Sequence, residues 1–187
     1  MKDTQKIKLF DYLDAIKDYW RDEPDLTTRE AVECMVLNFM KLFDGTSYIN
    51  DFNTYNIIDY ETDEEYTAEC LFDAFCEEKT NNYFVEAVRD ITEFWINFSN
   101  YSKESINEEE IDNPFSDNYS PTLPKEVVMT SVINSILDIF DGNSKWYSYR
   151  DCEIIENETG EYFLYADLRE CYCKQHGMED DYDFDLD

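Results

Sequence analysis

Apolar residues recur at helical spacing in four stretches of this chain. From Thr4 to Trp20 the positions Ile7, Phe10, Leu13, Ile16 and Trp20 share one face, and from Asn82 to Phe98 the positions Phe84, Val88, Ile91, Trp95 and Phe98 do the same. The other two stretches are Val32, Met35, Val36, Phe39, Met40 and Phe43, and Met129, Val132, Ile133, Ile136, Leu137 and Phe140. Each predicts an amphipathic helix whose stripe faces a core. Thr27 with Glu30 reads as a capping box at the start of the second helix, and Pro124 suits a first helical position of its counterpart. Gly45 and Gly142 come just after the ends of these helices, where a left-handed residue terminates the spiral.

The last two stretches are related. Phe43-Asp44-Gly45 recurs as Phe140-Asp141-Gly142, an offset of 140 − 43 = 97, and the register continues without a gap on both sides. Ile57-Ile58 meets Ile154-Ile155, Glu61-Thr62-Asp63-Glu64 meets Glu158-Thr159-Gly160-Glu161, and Leu71, Phe75 and Cys76 meet Leu168, Tyr172 and Cys173. The pattern predicts an α+β, predominantly helical protein: two tandem copies of a helix, loop, short strand and helix unit, plus extra amphipathic helices. The Ile-Ile segments are the expected strands, and the Glu-Thr steps after them the expected turns. The segment after each turn is open between a strand and a helix. Tyr66, Leu71, Ala74 and Phe75 favour a helix; Tyr162 to Tyr165 suit a strand ahead of a helix from Asp167 to Gln175.

The expected division is 1–98 for the N-terminal helix, first copy and connecting helix, 99–124 for an acidic linker rich in Pro, Ser and Asn, 125–176 for the second copy and 177–187 for an acidic tail. The two helices before and after the first copy are read as standing outside the repeat.

Charge changes the picture most. Among 187 residues, 45 Asp and Glu oppose 15 Lys and Arg, a net charge of −30, so a nucleic-acid binder with a basic face is excluded. Hydrophobic residues at 43% and aromatics at 17% supply a core that acidic disordered chains lack. No window approaches a membrane span, and Asp11, Asp14, Lys17 and Asp18 interrupt the first apolar stretch, so the expectation is a cytoplasmic protein, without a membrane.

Chemistry is sparsely indicated. The four glycines do not form a phosphate loop or nucleophile elbow, and the single histidine, His176, lies near the tail, where a held base is not expected. Six cysteines include one close pair, Cys171 and Cys173, too few soft ligands at short spacing for a zinc site; Cys34, Cys70 and Cys76 read as small core residues. The expectation is a protein that is not an enzyme and uses no metal and no cofactor.

A charge of magnitude about 2 to 8 is enough for solubility. Thirty negative charges match about 50 Å of duplex DNA, on a body about 40 Å across. In charge, size, scarcity of histidine and richness in aromatics the chain resembles the acidic DNA-mimic inhibitors by which phages and mobile elements block restriction enzymes or CRISPR nucleases. The resemblance implies a non-enzymatic inhibitor occupying the basic nucleic-acid channel of a defence nuclease, with that basic protein as partner and a monomer or homodimer as the inhibitor. An immunity protein neutralising a basic nuclease toxin is the alternative. The first candidate contacts are the matched turns, with Asp59, Glu61, Asp63, Glu64, Glu65, Glu156, Glu158 and Glu161. Next come the linker acids Glu108, Glu109, Glu110 and Asp112, then Asp180, Asp181 and Asp183 of the tail. Tyr48, Tyr55, Trp146 and Tyr147 are candidate anchors or core residues.

Overall fold

A computed structural model describes residues 3–45, 55–59, 62–63, 65–68, 70–77, 79–100, 123–142, 152–156, 161–162 and 167–178. In order these form α1 (Asp3–Arg21), α2 (Thr28–Phe43), β1 (Tyr55–Asp59), a 3-10 turn (Tyr66–Ala68), α3 (Leu71–Cys76), α4 (Tyr83–Asn100), α5 (Lys125–Phe140), β2 (Cys152–Glu156), β3 (Glu161–Tyr162) and α6 (Leu168–Gln175). The fold is α+β and predominantly helical, as the periodicity predicts.

Helix α2 starts where the sequence places it. The Glu30 amide donates to Thr27 Oγ1 at 3.3 Å and the Thr27 amide to Glu30 Oε2 at 2.9 Å, so two otherwise orphaned N–H groups are satisfied reciprocally. Those bonds also hold the Glu30 carboxyl below its usual range, the Thr27 hydroxyl first and its amide second. Pro124 stands one residue earlier than predicted, as the residue capping α5 rather than its first helical residue. Gly45 and Gly142 take φ of 66° and 67°, the left-handed conformation that ends both helices.

Helix α5 is the centre of the molecule. Val128, Met129, Val132, Ile133, Ile136, Leu137, Ile139 and Phe140 are all buried, and an apolar face this wide must be covered by several neighbours. It packs against α1, α2, α4, α6 and β2. Where a polar group enters this core it is paired: Trp95 Nε1 donates to Ser135 Oγ at 3.0 Å. The apolar faces of α1 and α4 are buried as their spacing predicts, through Phe10, Leu13 and Ile16 and through Phe84, Val88, Ile91 and Trp95.

The strands form one sheet in the order β1-β2-β3. β1 runs antiparallel to β2, with Tyr55 opposite Glu156, Ile57 opposite Ile154 and Asp59 opposite Cys152, and β3 continues the sheet with Glu161 opposite Glu156. Ile57 and Ile154 point into the core. The two segments left open by periodicity resolve differently: the first is a 3-10 turn and the short helix α3, the second is β3 and then, after Asp167, α6.

The Phe-Asp-Gly step does the same work twice. Asp44 Oδ1 and Oδ2 accept the Leu71 and Phe72 amides, each at 2.9 Å, and Asp141 Oδ1 and Oδ2 accept the Leu168 and Arg169 amides, each at 2.8 Å. One carboxylate at the end of a long helix thereby caps the first turn of a later one, favoured by the partial positive charge of a helix N-terminus.

Three expectations about placement are corrected. Cys34 is half-buried and Cys70 and Cys76 are exposed, because they flank the apolar stripes of their helices; the buried thiols are Cys152 and Cys173. Met178 is packed against the core and its amide donates to the Cys173 carbonyl at 3.0 Å, so the chain is still fastened at the second residue of the stretch expected as a tail. His176 is held rather than loose, with its Nε2 2.9 Å from the Asp14 carboxylate on α1.

Candidate functional site

Antiparallel pairing sets the end of β1 beside the beginning of β2, so the last residues of the two strands, Asp59 and Glu156, stand at opposite ends of the ladder, about 14 Å apart for four residue steps. Asp63 is exposed with φ of 57°, a left-handed position that Asp tolerates better than most residues, and Glu65 is exposed while its backbone bridges Ile58. Glu156 and Glu161 are cross-strand neighbours in the backbone of β2 and β3.

Asp59 is corrected from an exposed contact to an internal one. It is 0% exposed; Oδ2 accepts the Tyr66 hydroxyl at 2.6 Å and Oδ1 the Thr62 amide at 2.9 Å. Its position on the inward side of β1 makes it the fastening of the turn, since a buried carboxylate persists only when its oxygens are hydrogen-bonded. Glu61, Glu64, Glu108, Glu109, Glu110, Asp112, Glu158, Asp180, Asp181 and Asp183 lie outside the described residues, as do Tyr48, Trp146 and Tyr147.

The charge that remains outside is carried by helices whose acids the sequence pattern did not single out. Asp11 and Asp18 on α1, Asp73 on α3, Glu86, Asp90 and Glu93 on α4, Glu126 on α5 and Glu170 on α6 are exposed. Their signal was in the sequence, on the polar side of each apolar stripe, but so many acids fill those faces that the pattern does not rank them.

The described arginines each reach a second element. Arg29 bonds Glu93 through both terminal nitrogens, at 2.7 and 3.0 Å, and reaches Glu33 at 3.1 Å, which holds the Glu93 carboxyl below its usual range. Arg21 binds Asp18 at 2.8 Å and Asp22 at 2.8 Å and meets Glu126 at 3.5 Å. Arg89 donates to the carbonyls of Ala74, Phe75 and Glu77 at the end of α3 and lies over the Phe75 ring. Lys125 donates to the Glu23 and Leu26 carbonyls, Arg169 pairs with Asp138, Lys174 with Glu170, and Lys41 sits 4.3 Å over the Phe72 ring. Among the described residues the arginines, Lys41 and Lys125 join elements, Lys174 pairs within α6, Lys79 is exposed, and carboxylates dominate what faces solvent.

Two further places bear on chemistry. An open groove of about 590 Å³ beside α3 is lined by Cys70, Asp73, Ala74, Glu77, Lys79, Thr80 and Asn81. Its thiol is taken up by Asp44 Oδ2 at 3.4 Å, and its exposed carboxylates suit a basic side chain better than they suit bond-making. The other place surrounds the histidine. Asp14 accepts the Tyr172 hydroxyl at 2.7 Å, and its carboxylate stands 2.9 Å from His176 Nε2 and 3.1 Å from Lys17 Nζ. Burial, and then the Asp14 carboxylate, push the Tyr172 phenol well above its ordinary range, so it stays protonated and donates. With three partners around one carboxylate, this cluster ties α6 to α1. Among the described residues no group of three or more His, Cys, Asp or Glu is placed to hold a metal ion, and no helix is long and apolar enough to cross a membrane.

The fold and this surface define a mainly helical α+β protein whose described exterior is predominantly acidic and whose described arginines join its elements. No family model, no curated protein and no solved structure matches the chain.

Proposed function

We propose that the protein is a non-enzymatic inhibitor that occupies the basic nucleic-acid channel of a bacterial defence nuclease, a CRISPR effector or restriction enzyme, in place of DNA. The observation that carries this reading is the division of charge. A chain with −30 overall uses its described arginines, with Lys17, Lys41 and Lys125, to join elements of the fold. Carboxylates are left on the outside at a density that a groove built for phosphate attracts. Inhibition is competition: carboxylates pair with the Arg and Lys that normally grip the backbone, without bond-making. Long-range attraction speeds association and salt screens it.

The test is displacement of a labelled duplex from purified bacterial restriction enzymes and CRISPR nucleases, monitored by fluorescence anisotropy from low to high salt. Displacement that weakens steeply as salt rises is the expected result. Retention of full DNA binding by every nuclease, with tight capture of one small basic toxin instead, would move the function to toxin immunity.

A further inference from the structure

At the centre of the ladder of β1 and β2 the facing residues are 97 apart, Ile57 opposite Ile154, and the flanking pairs are arranged evenly about them. When a residue pairs antiparallel with its own counterpart, a local two-fold axis passes between the two. Phe43 and Phe140 are also 97 apart and also meet, with ring centroids 5.8 Å apart, so the axis runs on between α2 and α5.

The exchange extends to the helices that the sequence pattern left outside the repeat. α1 packs on α2, α5 and α6; α4 packs on α5, α2 and α3. Swapping α1 with α4, α2 with α5 and α3 with α6 converts the first set into the second. The side chains correspond at an offset of 84 − 9 = 75: Leu9, Phe10, Leu13, Ile16 and Trp20 answer to Phe84, Val85, Val88, Ile91 and Trp95. The offset changes because corresponding positions of α4 and α5 are separated by 97 − 75 = 22 more residues than those of α1 and α2, which hides the relationship from a gapless comparison.

Exchanged positions inside the fold have changed chemistry while keeping their task. Asp14 ties α6 to α1 through Tyr172, and its counterpart Arg89 ties α3 to α4 at Phe75, the counterpart of Tyr172. Arg29 has become Glu126. Exposed carboxylates nevertheless stand at exchanged positions in Asp11 and Glu86, Asp18 and Glu93, and Asp73 and Glu170. Arginines already occupy the second pair, and Lys174 holds Glu170. Asp11 and Glu86 are therefore the leading contacts.

We propose that this axis is the functional one: the protein takes a partner that is itself two-fold, a homodimeric nuclease acting on duplex DNA, with one chain per dimer. The inference rests on the inhibitory reading and deepens it. A dimer that reads duplex DNA presents two equivalent basic half-sites about one dyad, because the protein's symmetry mirrors that of its site. A single chain with carboxylates on both sides of its own axis meets both half-sites at once. A surface without that relationship serves one half-site and leaves the other open.

The test uses the full chain against two purified probes, a homodimeric restriction endonuclease that cuts palindromic sites and a single-chain CRISPR nuclease. Native mass spectrometry gives the stoichiometry, and DNA displacement gives the affinity of wild type, Asp11→Lys, Glu86→Lys and the double variant. Circular dichroism and urea midpoints establish that each variant is folded. One chain per endonuclease dimer is expected, with each single reversal weakening binding about tenfold and the double about a hundredfold. Two chains per dimer, or one reversal silent while the other carries the whole loss, overturns the two-fold reading. Inhibition of the single-chain nuclease alone overturns it too but leaves the inhibitory function standing, whereas displacement from neither probe removes both.

Discussion

Asp141 at the end of α5 closes the first turn of α6: its Oδ1 accepts the Leu168 amide at 2.8 Å while Oδ2 takes the next amide at the same distance. The carboxylate is 4% exposed, and Asp44 makes the equivalent pair of bonds in a half-buried setting. Losing a charged acceptor strands two amides, and the penalty is larger where water cannot replace it. Asp141→Ala is expected to cost about 2 to 3 kcal/mol and Asp44→Ala about 1 to 2 kcal/mol. Urea denaturation of both variants checks the order.

The sheet centre tests how far the two halves depend on each other. Ile57 and Ile154 are 0% and 1% exposed and pair across β1 and β2. Replacing either with Ala is expected to cost about 2 to 5 kcal/mol. Because they share one site, the double variant should depart from additivity by about 0.5 kcal/mol or more. A double-mutant cycle in urea measures the coupling.

Asp59 and Glu65 separate a structural acid from a surface acid in the same turn. Asp59→Ala leaves the Tyr66 hydroxyl and the Thr62 amide without their acceptor and is expected to cost about 1 to 3 kcal/mol. Glu65→Lys, at an exposed position, is expected to stay within about 0.5 kcal/mol of wild type. Thermal melts of the two variants distinguish them.

Acid should loosen the contact between α2 and α4. Arg29 holds Glu93 below its usual carboxyl range, so the folded-state value lies under the unfolded one. The contribution is therefore complete above the unfolded value near 4.5 and is lost as pH falls through the depressed folded value. Since Glu93 is largely exposed the effect is small. Glu93→Gln should flatten a small part of the stability loss below about pH 4.5, seen by comparing urea midpoints of wild type and variant between about pH 3 and 7.

Arg89 reaches three carbonyls at the end of α3 and covers Phe75. A lysine ammonium is a point charge without the planar fork. Arg89→Lys is expected to destabilise by about 1 to 2 kcal/mol and to increase amide hydrogen exchange in α3 more than in α5.

The sequence by itself determined the elements whose cause is local. Apolar stripes located α2 and α5, the Thr27 and Glu30 pair located a helix start, and two Phe-Asp-Gly steps located two helix ends, because propensity, periodicity and capping act within a few residues. It also located the two Ile-Ile strands. Only the tertiary structure decided which acids face outward. Asp59 and Asp63 are four residues apart and equally acidic, yet one is inside the sheet and the other in water, since strand alternation and the reach of Tyr66 settle the matter over distance. His176 reads as loose in the sequence because nothing near it in the chain holds it; Asp14, 162 positions away, does so (176 − 14 = 162). How α1 and α4 pack was hidden in the same way: α1 lies on α2, α5 and α6, and α4 on α5, α2 and α3. Packing joins residues that the order of the chain keeps apart.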